Sequence, residues 1–388
     1  MKSLLYIFWW SSLAILVFSG CSKQHSQPNP PPTNPPPPVV ISPCTARSVV
    51  NAQLVPIGQL SEARIGLSAG TAGSKILFAG GMTTYAYSSA VDIYDTITRT
   101  WSTAALTIPQ RHGMAVVTLG NKIFFAGGED ADWGDLTSRV DIYDASTNTW
   151  TTAELSSARA FLAATTIGNK IFFAGGGAWD QVTFSGSRTV DVYDNSTNTW
   201  SVKYLSEGRY ELTATTVGTK LYFAGGLTSI FGISKKIDIY DSQTNTWSTS
   251  QLNEAKAGHA SIAWGNKIFW AGGAYSSYQS GYKLSNTVEI RDDFTGNSEI
   301  TCFIERAWSK AVVKDDKIIF FTGIYRADSY SGTHFEIFNT SNQQWSTGVL
   351  NVRINDAAVI AVNNTIYVAG GRSSPWGPYF NQVWKLEF

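Results

Sequence analysis

The chain is poor in charge and has no excess of either sign. Charged residues make up 15% of its 388 residues, and 29 basic side chains balance 29 acidic ones. A protein that binds nucleic acid or an anionic membrane surface needs a field of basic residues. The composition therefore excludes both of these partners.

Residues that mark common catalytic sites are also scarce. The sequence has 3 cysteines and 4 histidines. It contains no nucleophile triad, no glycine loop that could cradle a phosphate and no zinc-ligand spacing. We therefore expect no cofactor and no metal.

What the chain does contain is a repeated phrase. A hydrophobic strand that ends in a glycine pair recurs every 47 to 50 residues. Seven copies of a unit of this length predict a repeat architecture with one small sheet per unit. The pairs, one of which begins with threonine, are Gly80-Gly81, Gly127-Gly128, Gly175-Gly176, Gly225-Gly226, Gly272-Gly273, Thr322-Gly323 and Gly370-Gly371.

Each unit contains four strand patterns. In the second unit, residues 122–128 form an apolar run that ends in glycine, and residues 140–144 alternate apolar and polar side chains. A turn rich in Asn and Thr leads to a strand that opens at Trp150, and residues 113–119 supply a strand ahead of the apolar run. Four antiparallel strands in about 50 residues are typical of a propeller blade.

The spacing within the unit is nearly constant. A cation stands sixteen residues before the glycine pair in six units, and Arg353 stands seventeen residues before it in the last. In five units a tryptophan follows the tyrosine position by seven residues. Only the stretch between the glycine pair and the tyrosine phrase changes much in length, so we expect function to lie in that loop.

The two ends of the repeat predict how the ring closes. The seventh unit supplies only three strands, and residues 48–57 form a strand pattern ahead of the first unit. Pairing these two ends removes the unpaired edges that an open ring would leave. We predict an all-β, seven-bladed propeller over residues 46–388, with four antiparallel strands per blade and the last blade closed by the N-terminal strand.

The glycine pair, the tyrosine and the tryptophan seven residues later resemble the kelch repeat, and the resemblance covers roughly residues 48–388. It implies a kelch β-propeller. Two units depart from the pattern: unit five has Arg291 at the tyrosine position and Ser298 at the tryptophan position, and unit six has Thr322 for a glycine.

The N-terminus predicts export. Residues 1–21 have a lysine, an apolar run and small residues before Cys21, which is the pattern of a secretory signal peptide. Residues 18–21 resemble a bacterial lipobox, which implies that Cys21 is lipidated. An uncleaved membrane anchor is the alternative. With Ser22 next, the resemblance to Gram-negative lipoproteins implies an outer-membrane lipoprotein of the cell envelope, facing the periplasm or the cell surface.

Residues 22–45 are rich in proline and form the predicted linker. Such a chain favours extended polyproline geometry, at about 3.1 Å per residue, and would hold the propeller away from the membrane. Export permits a disulfide, but Cys44 lies near blade seven and Cys302 at the outer edge of blade five. This separation disfavours a bond between them.

One face of the propeller collects the features that suggest binding. Strand alternation places the opening cations and the loops after the glycine pairs on the same face. Exposed aromatic side chains suit stacking on sugars or anchoring a protein, and guanidinium groups suit carboxylates. We predict a monomeric binding module for an acidic glycan or protein. The predicted ligand-binding residues are Arg64, Arg111, Arg159, Arg209, Arg306, Arg353, Arg372, Trp133, Trp179, Tyr275, Tyr325 and Trp376.

These side chains also have a structural interpretation. An arginine at the opening position is part of the kelch pattern itself and could satisfy backbone carbonyls within its blade. The tyrosine, aspartate and tryptophan of the repeat phrases, with their rigid spacing, are expected to pack between neighbouring blades. Residues 129–135 gather four carboxylates, which suits either calcium or a solvated acidic turn.

Two enzymes with kelch propellers provide alternatives. Galactose oxidase needs copper held by histidines, tyrosines and a cysteine, but neither Cys44 nor Cys302 falls near the central channel. Sialic acid mutarotases move protons on an acidic sugar and usually have six blades. A mutarotase-like activity remains the alternative to a binding module. The carboxylates that could serve it are Glu129, Glu207, Glu211 and Asp356.

Overall fold

The computed structural model describes residues 47–108, 111–130, 135–179, 183–229, 232–275, 283–321, 323, 333–374 and 377–388. These residues belong to one compact unit, Ala46–Phe388. Their regular structure consists of β-strands. In these ranges no helix is long and apolar enough to cross a membrane.

The strands form repeated four-stranded antiparallel sheets, each of which we call a blade. Blade one consists of β2 (Ser68–Ala72), β3 (Lys75–Ala79), β4 (Ala90–Asp95) and β5 (Trp101–Ala105). Blade two consists of β7 (Ala115–Leu119), β8 (Lys122–Ala126), β10 (Arg139–Asp144) and β11 (Thr149–Glu154). Blade three consists of β12 (Ala163–Ile167), β13 (Lys170–Ala174), β16 (Thr189–Asp194) and β17 (Thr199–Tyr204). Blades four and five consist of β18 (Thr213–Val217), β19 (Lys220–Ala224), β22 (Lys236–Asp241) and β23 (Thr246–Gln251); and β24 (Ala260–Trp264), β25 (Lys267–Ala271), β26 (Thr287–Asp292) and β27 (Ser298–Cys302).

The last two blades share one larger sheet with the N-terminal strand. Blade six consists of β28 (Lys310–Lys314), β29 (Lys317–Phe321), β30 (His334–Asn339) and β31 (Gln344–Leu350), and blade seven of β32 (Ala358–Val362), β33 (Thr365–Ala369), β34 (Gln382–Glu387) and the closing strand β1 (Ser48–Gln59). The shorter strands are β6 (Arg111–His112), β9 (Glu129–Asp130), β14 (Gly177–Trp179), β15 (Phe184–Gly186), β20 (Leu227–Ser229) and β21 (Gly232–Ile233).

The first strands of the blades form a closed ring. Each contacts the first strand of the next blade, in the order β2, β7, β12, β18, β24, β28 and β32, and β32 contacts β2. The strand pairing and these contacts are those of a seven-bladed propeller with its first strands around the central channel.

The closing strand joins two blades. Its second half pairs antiparallel with β34, from Gln53 opposite Glu387 to Gln59 opposite Gln382. Its first half pairs parallel with β31, from Ser48 opposite Ser346 to Ala52 opposite Leu350. The strand therefore completes blade seven, as the repeat pattern predicts, and also covers the outer edge of blade six, which that pattern does not predict.

The chain just ahead of β1 reaches blade five. The Arg47 guanidinium bonds the Glu336 carboxylate, and its Nη2 lies 3.2 Å from Cys302 Sγ. Cys302 is disulfide-bonded, although the separation expected from the repeat disfavoured a bond between Cys302 and Cys44. That expectation placed the N-terminal segment beside blade seven alone, whereas the chain also follows blade six. Cys44 lies outside the described residues.

Aromatic side chains of the repeat phrases pack between blades, as their spacing predicts. Tyr193 lies against Trp200 of its own blade, with ring centroids 5.0 Å apart, and against Phe124 of the preceding blade at 5.5 Å. Tyr240 repeats this arrangement with Trp247 and Phe172.

The glycine pairs permit a close approach between blades. Gly80 and Gly81 have φ angles of 63° and 90°, and the Gly81 N–H donates to the Arg111 carbonyl of the next blade at 3.1 Å. A Cβ at Gly80 would clash with that carbonyl oxygen. Only glycine accommodates both the backbone angle and the contact without strain.

A buried ion pair joins the opening cation to the third strand of its blade. Arg111 bonds the Asp141 carboxylate, and its Nε and Nη2 donate to the Gly127 and Phe125 carbonyls at 2.7 and 2.8 Å. The carboxylate also accepts the incoming backbone N–H of Thr107 at 3.1 Å. The same pairing occurs between Arg64 and Asp92, Arg159 and Asp191, and Arg209 and Asp238.

Blade seven replaces this ion pair with apolar side chains. In the β33 to β34 register, Trp384 occupies the place of the carboxylate, and Ile354 stands sixteen residues before Gly370 in the place of the cation. Ile354 and Trp384 belong to one buried hydrophobic cluster. Arg353 is exposed and lies one position ahead, which explains the irregular spacing in the last unit.

We expect Asp191→Ala to destabilise the propeller strongly. It leaves the Arg159 guanidinium buried without its counter-ion and removes the acceptor for the Ser156 N–H. Breaking a buried pair in this way costs about 3–5 kcal/mol. Urea unfolding followed by tryptophan fluorescence measures the change.

Glu154→Ala is the matched control. It removes a partly exposed partner of Arg139, at an Nε to Oε1 distance of 3.1 Å. An exposed pair contributes about 0–1 kcal/mol, so a similar loss in both variants would contradict the importance of the buried pair.

Candidate ligand site at the channel mouth

Seven residues at one repeat position form a ring that we call the mouth ring. Each lies two residues after the opening cation, or after Ile354 in blade seven, and has a φ between 52° and 67°. Backbone hydrogen bonds link successive members, such as Glu211 N–H to the Phe161 carbonyl at 3.0 Å. The members are Gly66, Gly113, Phe161, Glu211, Gly258, Trp308 and Asp356.

The four non-glycine members hold an unfavourable backbone conformation. A positive φ costs on the order of 1–3 kcal/mol for a bulky residue such as Phe161, Glu211 or Trp308, and less for Asp356, because aspartate adopts this conformation more readily. Glycine in three blades satisfies the same backbone at no such cost. Strain of this kind clusters at functional sites, so the side chains of Phe161, Glu211, Trp308 and Asp356 are candidates for ligand contact.

Two aromatic members lie over the glycine of the preceding blade. A Cβ on Gly258 would stand 2.8 Å from Trp308 Nε1, and a Cβ on Gly113 would stand 3.0 Å from the Phe161 ring. The Trp308 indole crosses blade five and donates from Nε1 to Glu211 Oε2 at 3.2 Å. Glycine at 258 therefore makes room for the contact between Trp308 and Glu211.

Glu211 has an unusual proton affinity. Burial raises the pKa of its carboxyl group to about 7, against the opposing effect of the hydrogen bond from Trp308. At neutral pH the group is present in both protonation states, which is the condition for general acid–base chemistry.

A charged cluster lies across blades six and seven. Arg372 Nε donates to Asp356 Oδ2 at 2.7 Å. Lys310 is the first residue of β28; water reaches its side chain, although protein surrounds the ammonium group. Burial lowers the pKa of Lys310, while the charge of Asp356 opposes that shift.

Aromatic side chains continue from the mouth ring over blades one to three. Tyr87 stacks on His112 at 5.2 Å, and His112 meets the edge of Phe161 at 5.6 Å. Phe161 contacts Phe184 at 6.2 Å, and Phe184 contacts Trp179 at 5.2 Å.

The variable loops of blades three and four join in an accessory sheet. Its strand order is β14, β15, β20 and β21, and Phe184 at its centre is buried. Trp179 at the end of β14 is 36% exposed. The sheet therefore presents a tryptophan beside the channel mouth.

The opening arginines do not form the predicted rim. Arg64, Arg111, Arg159 and Arg209 are fully buried inside their blades, where carboxylates and carbonyls accept hydrogen bonds from their terminal guanidinium nitrogens. Arg306 is also buried and donates to the His334 carbonyl at 3.1 Å. These five side chains present no accessible donors in this geometry, in contrast to the sequence-based expectation. Arg372 is 7% exposed and bonds Asp356, so only Arg353 of the predicted arginines is exposed.

Two predicted aromatic residues are exposed. Trp179 lies on the accessory sheet, and Tyr275, at 43% exposure, follows the blade-five glycine pair. Trp133, Tyr325, Trp376 and Cys21 lie outside the described residues.

The predicted acidic loop at residues 129–135 is only partly described. Within the described ranges, no three His, Cys, Asp or Glu side chains are placed to hold a metal ion. His259 is buried, and its Nε2 lies 2.9 Å from Thr213 Oγ1. Burial and nearby cations lower its pKa to about 3, which keeps the ring neutral.

Sequence reasoning singled out Glu211 and Asp356 but missed Phe161, Trp308 and Lys310. A signal was present, because three units have glycine two residues after the opening cation whereas others have Phe161, Glu211 or Trp308. Lys310 had no such signal.

Comparisons with known proteins agree with this architecture. The Kelch motif matches residues 110–154 and 208–250. With the sheets described above, these matches support a kelch-repeat β-propeller. The solved "Structure of YjhT" is similar, with a TM-score of 0.56 and 15% identity, over 71% of this chain and 94% of that one. At this identity the likeness shows the fold alone. No curated protein sequence matches the chain.

We expect the pH dependence of stability to report the Glu211 carboxyl. Its folded pKa of about 7 exceeds the ordinary 4.5, so folding disfavours ionisation and stability falls as pH rises from 4.5 through 7. Glu211→Gln should lose this component. Thermal-unfolding midpoints of both proteins across this pH range test the prediction.

Trp308→Phe provides a second check. It removes the hydrogen bond that lowers the pKa of Glu211, so the fall in stability should still begin near 4.5 but extend to higher pH. Parallel profiles for the native protein and Glu211→Gln would contradict the assignment.

Proposed function

We propose that this propeller is a binding module and that its ligand, a glycan or a protein with an acidic group, docks at the channel mouth. The observation that carries the proposal is the mouth ring, in which Phe161, Glu211, Trp308 and Asp356 occupy a backbone conformation suited to glycine. Selection for folding alone would favour glycine at these positions.

The chemistry around the ring favours a glycan. Trp179 and Tyr275 offer accessible aromatic area for stacking on sugar rings. Glu211 and Asp356 supply acceptors for hydroxyl groups, and Lys310 supplies a positive charge for an acidic group. A small set of polar groups among aromatic side chains is typical of a ligand site.

We also propose that the module works outside the cytoplasm. The support is the signal-like segment at residues 1–21, the lipobox-like residues that end at Cys21 and the proline-rich residues 22–45. A lipid on Cys21 would tether the propeller to a membrane, and the linker would separate the channel mouth from that surface.

A sugar-processing enzyme is the second candidate. The specific observation in its favour is the Glu211 carboxyl, whose pKa of about 7 suits proton transfer in a mutarotase-like reaction on an acidic sugar. In that case Glu211 would exchange a proton with the sugar while Trp308 positions its carboxyl group.

We expect Trp179→Ala and Trp308→Ala to weaken glycan binding roughly tenfold or more, as the loss of a buried aromatic contact does. A glycan array with the purified propeller identifies ligands, and titration then measures the affinity of each variant.

Trp264→Ala is the matched control for Trp179→Ala. Trp264 is 38% exposed, close to the 36% of Trp179, but it ends β24 at the opposite face of the propeller. Equal loss in all three variants, or unchanged binding in both mouth variants, would reject this face as the binding surface.

The enzyme candidate has its own measurement. NMR of freshly dissolved anomers of an acidic sugar follows mutarotation, and Glu211→Gln should remove any acceleration. Binding without acceleration of mutarotation supports the binding module. Acceleration that is lost in Glu211→Gln supports the enzyme.

A further inference from the structure

Lys310 is out of place for an inner strand. It opens β28, two residues after Trp308, where the other blades have small side chains. The residues at the matching strand position are Ser68, Ala115, Ala163, Thr213, Ala260 and Ala358. Blade six therefore places a single long cation at the channel lining.

The Lys310 ammonium group has no hydrogen bond or ion pair with the part of the chain that the structure describes. Its electrostatic neighbour is Asp356, whose Oδ2 already accepts the hydrogen bond from Arg372. Water reaches Lys310, so the group is open to a solute in the channel mouth.

Protein surrounds this ammonium group although the residue is exposed to water, so the charged group is only partly hydrated. Burial removes hydrating water and disfavours the charged form, which is why the pKa of Lys310 is lowered. A carboxylate placed beside the group restores the lost stabilisation through charge and hydrogen bonding. An uncharged ligand can accept hydrogen bonds from the ammonium group but supplies no opposite charge.

We propose that Lys310 binds the carboxylate of a carboxylated monosaccharide unit at the channel mouth and so selects acidic over neutral sugars. This inference rests on the proposed function and assigns the acidic preference to a residue outside the arginine series. A sugar fits better than an acidic peptide segment. Its hydroxyl groups can donate to Glu211 and Asp356, whereas additional carboxylates of a peptide would be repelled by both.

The test compares each acidic sugar with its own methyl ester. Calorimetric titrations use glucuronate, galacturonate and N-acetylneuraminate with the native protein, Lys310→Met and Lys310→Arg. We expect the native protein to bind at least one acid about tenfold or more tightly than its ester. Lys310→Met should lower the acid affinity to that of the ester and leave the ester affinity unchanged, and Lys310→Arg should retain part of the preference.

Lys314→Met is the control on the same strand. Lys314 ends β28, and its Nζ pairs with Asp315 at 3.0 Å, away from the mouth ring. This variant should bind like the native protein. A thermal-unfolding midpoint for each variant establishes that it is folded.

Three results would overturn the assignment: equal affinity of the native protein for acid and ester, no binding of any of the three acids, or a parallel loss of acid and ester affinity in Lys310→Met. Failure of the binding module is distinguishable, because the array would then show no ligand sensitive to Trp179 and Trp308. If neutral glycans bind in a way that depends on both tryptophans and no preference for acids is found, the binding module stands and only the role of Lys310 is rejected.

Discussion

The buried pair between the opening arginine and the carboxylate of the third strand is the interaction on which the frame of blades one to four depends. In blade two it joins Arg111 to Asp141, two strand carbonyls and the incoming backbone at Thr107. One contact therefore connects the middle of a blade to the chain that enters it. Blade seven, with Ile354 and Trp384, shows that the frame also accepts an apolar solution, in agreement with the narrow balance between desolvation and attraction in buried pairs.

This constraint separates the residues that recur from unit to unit from the surface that we propose for binding. The arginines donate to carbonyls and carboxylates within their blades. Their side chains are therefore buried and do not reach the face of the propeller that carries the channel mouth. The ligand contacts that we propose lie instead in the mouth ring two residues later. There each blade has either glycine or one of the side chains Phe161, Glu211, Trp308 and Asp356 in the same backbone conformation. The ring can therefore vary residue by residue without changing the blades.

The strands, the glycine pairs and the interblade aromatic contacts were predictable because they follow from local periodicity. The direction of the arginines was not, since a cation at the end of a strand can turn outward or inward. The inward direction is stabilised by a carboxylate that lies 28 to 32 residues later in blades one to four. The disulfide at Cys302 was missed for a related reason, because the closing strand runs along blade six as well as blade seven.

By itself, the sequence determined the repeat, the four strands of each unit and the closure of blade seven, because each depends on contacts between residues of one unit or on the need to cover exposed edges. Only the tertiary structure brought the residues of the candidate site together. Glu211 and Trp308 are separated by 97 residues, and Lys310 approaches Asp356 from a different blade. Closure of the ring brings these side chains together, and no spacing along the chain encodes which residues face one another across a channel.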